Sequence, residues 1–255
     1  MSFLPYYTFF MKYKNILFIG FILCFSSLET YAQVNGGLMV NPKRIVFEDG
    51  ETKKNITLIN SSEETSVYTV SFTENRMNQD GSFTEITDPD PGQLFANPHL
   101  RIYPRRITLG PLETQTIMLQ RRRKSNMQTG EYRSHLYFRP EIVETPLDIN
   151  TIKSPALGIS VDIKTVFGLS IPVIFRSGEV SLTTTLSDLK LKSVEGANSI
   201  TLLINRKGNS SVYGDLTVEY YPLNGKSFRV AALNGLAVYT TIEKRYVNIN
   251  LKVLP

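Results

Sequence analysis

Short runs in which apolar and polar residues alternate, broken by turn residues, recur along most of this chain. Tyr68, Val70 and Phe72 alternate with Val67, Thr69 and Ser71, and Ile56 and Leu58 with Thr57 and Ile59. A period of two places successive side chains on opposite faces of a pleated strand. The runs are rich in β-branched and aromatic residues, which suit a half-buried sheet surface. No long stretch carries a helical period, so the expected class is all-β. The first set of runs covers 38–47, 54–60, 66–73, 100–103, 114–121, 132–139 and, longest, 157–176. A second set covers 179–189, 199–205, 214–221, 227–236 and 245–254. Asp80-Gly81 signals a tight turn, Gly168 a bulge or a close backbone approach, and Ser177-Gly178 a linker between the two sets. Two consecutive β-sandwiches follow, with domains at 33–177 and 178–255.

Residues 1–32 read as a signal peptide. Met11 is a candidate start, Lys12 and Lys14 form a basic flank, and an apolar run covers 16–24. Thr30-Tyr31-Ala32 supplies the small residues of a cleavage site after Ala32. The run is short for a bilayer span, with a retained anchor as the alternative. The sole cysteine, Cys24, lies inside this segment. The remainder therefore has no disulfide framework, cysteine nucleophile or thiolate metal site.

The net charge of +5 is too small and dispersed to imply nucleic acid. With only two histidines, His99 and His135, there is no metal-ligand spacing, and His135 reads as a packed or surface strand residue. No nucleophile elbow, phosphate loop or dinucleotide fingerprint occurs. The expectation is a non-enzyme without cofactor, metal or small-molecule substrate. Arg121-Arg122-Arg123-Lys124 is the densest basic run, read as a solvated strand end rather than a phosphate or membrane patch.

Arg44 stands out, an arginine within the alternating run 38–47. Burying it is costly unless it meets an anion. From the residue alone it is a surface arginine, a partner in an internal ion pair, or an anchor for a partner's carboxylate.

The order of segments resembles the periplasmic pilus chaperones of the chaperone–usher pathway. Pro42-Lys43-Arg44-Ile45-Val46-Phe47 is similar to that family's first strand, and Leu58-Ile59-Asn60-Ser61-Ser62 to its second strand and turn. The stretch from Tyr103-Pro104 through Leu109-Gly110-Pro111-Leu112 to Gln115-Thr116 resembles its proline-to-glutamine segment. Gly130-Glu131-Tyr132-Arg133-Ser134 resembles its sixth strand and Ile171-Pro172-Val173-Ile174-Phe175-Arg176 its seventh, in forms closer to the atypical or archaic branch than to the best-studied one. The match covers residues 33 to about 178 well and the rest weakly. The resemblance implies two immunoglobulin-like β-sandwiches at an angle. It also implies a periplasmic chaperone that binds pilus subunits by donor-strand complementation and delivers them to an outer-membrane usher. Val161, Ile163, Phe167 and Leu169 are then the donor-strand candidates, unless they fill their own core. Arg44 is the anchor for the subunit's terminal carboxylate. The family's second cation, a lysine, falls at Pro172, so Lys164 or Arg176 are the candidates for that charge, with backbone donors as the alternative. An exposed donor edge also suggests a self-capping homodimer. The competing reading is a secreted structural or adhesive β-sandwich.

Overall fold

A computed structural model describes residues 37–48, 50–122, 126–141, 168–194 and 197–252. The chain is all-β, with a single 3-10 turn at Asn97–His99 among the described residues. In chain order the first strands are β1 (Leu38–Asn41), β2 (Ile45–Phe47), β3 (Lys53–Asn60), β4 (Ser66–Met77), β5 (Phe83–Ile86) and β6 (Leu94–Phe95). Next come β7 (Leu100–Tyr103), β8 (Arg106–Leu109), β9 (Thr114–Arg121), β10 (Gly130–Glu141) and β11 (Leu169–Ser177). They build two facing sheets, one ordered β1-β3-β9-β7 and the other β2-β11-β10-β4-β5, with β6 beside β10 and β8 beside β4.

The alternation places the core. Ile56 and Leu58 on β3 pair near Ile117 and Leu119 on β9, and all four are fully buried. They meet Leu136, Phe138, Ile171, Val173 and Phe175 from the other sheet. Burying each such side chain contributes about 1.5–3 kcal/mol. Asn60, although it begins a glycosylation-type tripeptide, is fully buried. Its Nδ2 donates to the carbonyls of Glu64 at 2.7 Å and Gly110 at 2.9 Å, tying two turns together.

The run 38–47 is not one strand. β1 pairs with β3 in one sheet, whereas β2 runs parallel to β11 in the other. The chain changes sheets at Pro42-Lys43-Arg44, so Arg44 stands at a crossover. Alternation continues on both sides because each short piece buries one face, and the pattern cannot say which sheet. Gly168 makes the close approach expected of it, since a Cβ there would overlap the Tyr137 ring.

Five more strands follow: β12 (Leu182–Val194), β13 (Ala197–Gly208), β14 (Val212–Tyr220), β15 (Phe228–Val238) and β16 (Lys244–Asn250). They form a sheet ordered β12-β13-β16 and a pair β14-β15, around a separate core that includes Leu202, Ile204, Val238, Val247 and Ile249. Arg206 is buried here and, among the described residues, donates only to carbonyls: Ile242 at 3.0 Å, Gly208 at 2.6 Å, Ser210 at 3.1 Å and Thr240 at 2.9 Å. It replaces the hydration those loop carbonyls would otherwise need.

Candidate functional site

Alternate residues of β10 face opposite ways. Tyr132, Leu136 and Phe138 enter the first core, while Glu131, Arg133 and His135 meet residues of the second sandwich. Glu131 accepts from Arg133 at 2.6 Å, from Arg176 at 3.1 Å, and from the Ser211 amide and hydroxyl at 3.1 and 2.8 Å. Burial alone would raise its pKa, but Arg133 and the Ser211 hydrogen bonds outweigh it and hold the carboxyl at about 2. Arg133 also donates to Ser211 Oγ at 2.7 Å and lies 3.6 Å from the Tyr239 ring centroid. His135 is buried, hydrogen-bonded through Nε2 to Tyr239 OH at 2.9 Å, and held neutral at about 3 by burial and by Arg133. It is packed against Tyr239.

Beside this network the β4–β5 hairpin docks on β16. The Tyr246 amide donates to the Gln79 carbonyl at 2.7 Å. Met77 is buried with Ala237 and Tyr239, and Gly81, at φ +87°, lies against the Arg245 guanidinium.

Between these two contacts opens a cleft of about 260 Å³, lined in part by Lys43, Arg44, Pro172, Tyr213, Tyr239 and Arg245. Arg44 is half-buried, its guanidinium 4.2 Å from the Tyr213 ring centroid. Burial and the like charge of Arg133 lower its pKa to about 10, so it remains charged at neutral pH. Among the described residues, three cations line the cleft and no carboxylate does. Such a site suits a small anion, which a guanidinium can grip with two parallel hydrogen bonds.

Of the residues nominated from sequence, Arg44 and Pro172 come together in this cleft. Arg176 lies apart from it, donating to Glu131 and, at 3.0 Å, to Ser210 Oγ. Leu169 is half-buried and packs on the first core. Val161, Ile163, Lys164 and Phe167 lie outside the described residues. Arg121 is not solvated as expected: it is buried with its guanidinium 4.3 Å from the Phe175 ring centroid. The sequence reading missed Lys43 and Arg245. Lys43 lies within the resemblance motif but was not singled out, whereas Arg245 comes from a distant strand and only the tertiary fold brings it here. Among the described residues no His/Cys/Asp/Glu group could hold a metal, and no helix is long and apolar enough to cross a membrane.

No protein-family model matches the sequence, and no curated protein does. Solved structures to which the chain is similar include pilus chaperones. The CupB2 chaperone of Pseudomonas aeruginosa shares 12% identity over 83% of this chain and 87% of that one, with a TM-score of 0.42. A chain of the CsuC–CsuE chaperone–tip adhesion subunit pre-assembly complex, from the archaic chaperone–usher Csu pili of Acinetobacter baumannii, shares 13% over 81% and 90%, at 0.41. A chain of a chaperone–tip adhesin complex of CFA/I fimbriae biogenesis shares 12% over 84% of each chain, at 0.44.

Proposed function

We propose that this protein is a non-enzymatic periplasmic chaperone that holds incomplete fimbrial subunits by lending them a strand and passes them to an outer-membrane usher. The observation that carries this reading is the register at Arg44. β2 is three residues long and pairs in parallel with Val173, Ile174 and Phe175 of β11. Among the described residues, Leu169 to Pro172 pair only with β10, and no described strand lies along their other edge. An open edge is where an added strand finds backbone partners. A guest strand taking up the line of β2 would run parallel to β11 and end where Arg44 begins. Its terminal carboxylate would then meet the guanidinium, while its alternating side chains faced a core. Val161, Ile163, Phe167 and Leu169 are the donors in this reading, and Arg44 is the anchor.

Co-purification from periplasm tests it. Wild-type protein should carry a fimbrial subunit, and Arg44→Ala should recover at least tenfold less with an unchanged far-UV spectrum. Recovery at wild-type yield with Arg44→Ala, or no fimbrial subunit with wild type, overturns the reading. The exposed aromatics Tyr221 and Tyr246 favour a second reading, an adhesive module. That reading predicts glycan or matrix binding unaffected by Arg44→Ala.

A further inference from the structure

The carboxylate-binding reading of the cleft leaves open what stands beside Arg44. Arg176, which lies one strand away, has its guanidinium donating to Glu131 and Ser210. Lys164 lies outside the described residues. Arg245 lines the same cleft from β16 of the second sandwich. Its Nη1 donates to the Ala237 carbonyl at 2.6 Å, which fixes the plane of the group. Its Nε is buried and makes no hydrogen bond. Asp80 acts on it only through space, its carboxylate being hydrogen-bonded to the Ser82 amide and hydroxyl at 2.9 and 2.6 Å. A buried, unsatisfied donor on a charged group is unfavourable, and the residue that carries it lines a cleft in which none of the described lining residues is a carboxylate. Gly81 packs against the same guanidinium. A Cβ there would overlap the Nε–Nη2 side of the guanidinium.

We infer that Arg245 is the second cation of this site, so that a terminal carboxylate is held between the two sandwiches, by Arg44 from the first and Arg245 from the second. The ligand class is the free C-terminus of an extended peptide. The cleft, at about 260 Å³, has room for little more than one terminal residue. The second sandwich is then half of the carboxylate grip. This inference rests on the proposed function above and specifies one residue of it.

A labelled peptide of about ten residues alternating valine and threonine, made with a C-terminal carboxylate and with a C-terminal amide, is titrated by fluorescence anisotropy. Wild type should bind the acid at least tenfold tighter than the amide. Arg245→Gln should bring that ratio below twofold with amide affinity unchanged. Arg245→Lys, which keeps the charge, should retain at least a threefold preference. Arg139→Gln, at an exposed arginine outside the cleft, should leave the ratio unaltered. The inference is overturned if wild type shows no acid preference, if Arg245→Gln keeps it, or if the lysine variant is as poor as the glutamine one. The chaperone reading fails separately, when wild-type protein carries no fimbrial subunit from periplasm.

Discussion

Arg133 donates to Glu131 at 2.6 Å from two residues further along the same strand, and both side chains are closed to solvent. Neither charge would be tolerated there alone. With Arg176, Ser210 and Ser211 around it, Glu131 joins the β10 strand to the loop that precedes β14. Glu131→Gln leaves Arg133 buried without its counter-charge, and breaking such a pair costs about 3–5 kcal/mol. A lower urea midpoint is the expected result.

Acid should weaken the fold through the same residue. Its carboxyl is held at about 2, below the ordinary 4.5. The folded state therefore binds fewer protons than the unfolded chain between those values. The stability it contributes is complete above about 4.5 and is lost as pH falls toward 2. Equilibrium unfolding at several pH values should show that slope in wild type and a flatter one in Glu131→Gln.

Glu74 should act in the opposite direction. Burial raises its pKa to about 7, against a single hydrogen bond from Ser134 Oγ at 2.7 Å. The folded state holds this proton more tightly, so stability declines as pH rises from about 4.5 to 7. Glu74→Gln, neutral throughout, should remove that decline. An unaltered pH profile in the variant would refute the assignment.

Gly81→Ala forces a side chain into the left-handed region at φ +87° and against Arg245. The backbone penalty is about 1–2 kcal/mol. A lowered Tm is expected, together with loss of acid-over-amide preference in the peptide titration, because the displaced group is the guanidinium.

Tyr213 holds Arg44 by its ring face. Tyr213→Phe keeps that face and should be near neutral. Tyr213→Ala removes it and should cost about 0.5–2 kcal/mol, read as a drop in Tm.

Much of the first sandwich was legible because its strands bury one face each. The runs at 54–60, 66–73 and 114–121 fall within β3, β4 and β9, and Asp80-Gly81 lies in the turn between β4 and β5. The run 38–47 misled because sheet identity is a long-range property, and a two-residue period survives a change of sheet. Arg44 could be singled out by its chemistry, yet its surroundings could not. Tyr213 and Arg245 lie far along the chain, on strands β14 and β16. Arg121 was taken for a solvated charge because a basic run hides which member lies over an aromatic ring. Arg176 was legible as a cation, but its engagement by Glu131 follows from strand register: the two face each other across β10 and β11.

The brevity of β2 has a consequence for recognition under the proposed function. A guest strand that halts at Arg44 is counted inward from its own last residue. Each position then has a parity fixed by its distance from that end, and parity decides whether its side chain points inward. Two guests with unrelated residues but the same phase of alternation would be equivalent to this protein. A guest lengthened by one residue at its tail would present the wrong face along its entire length.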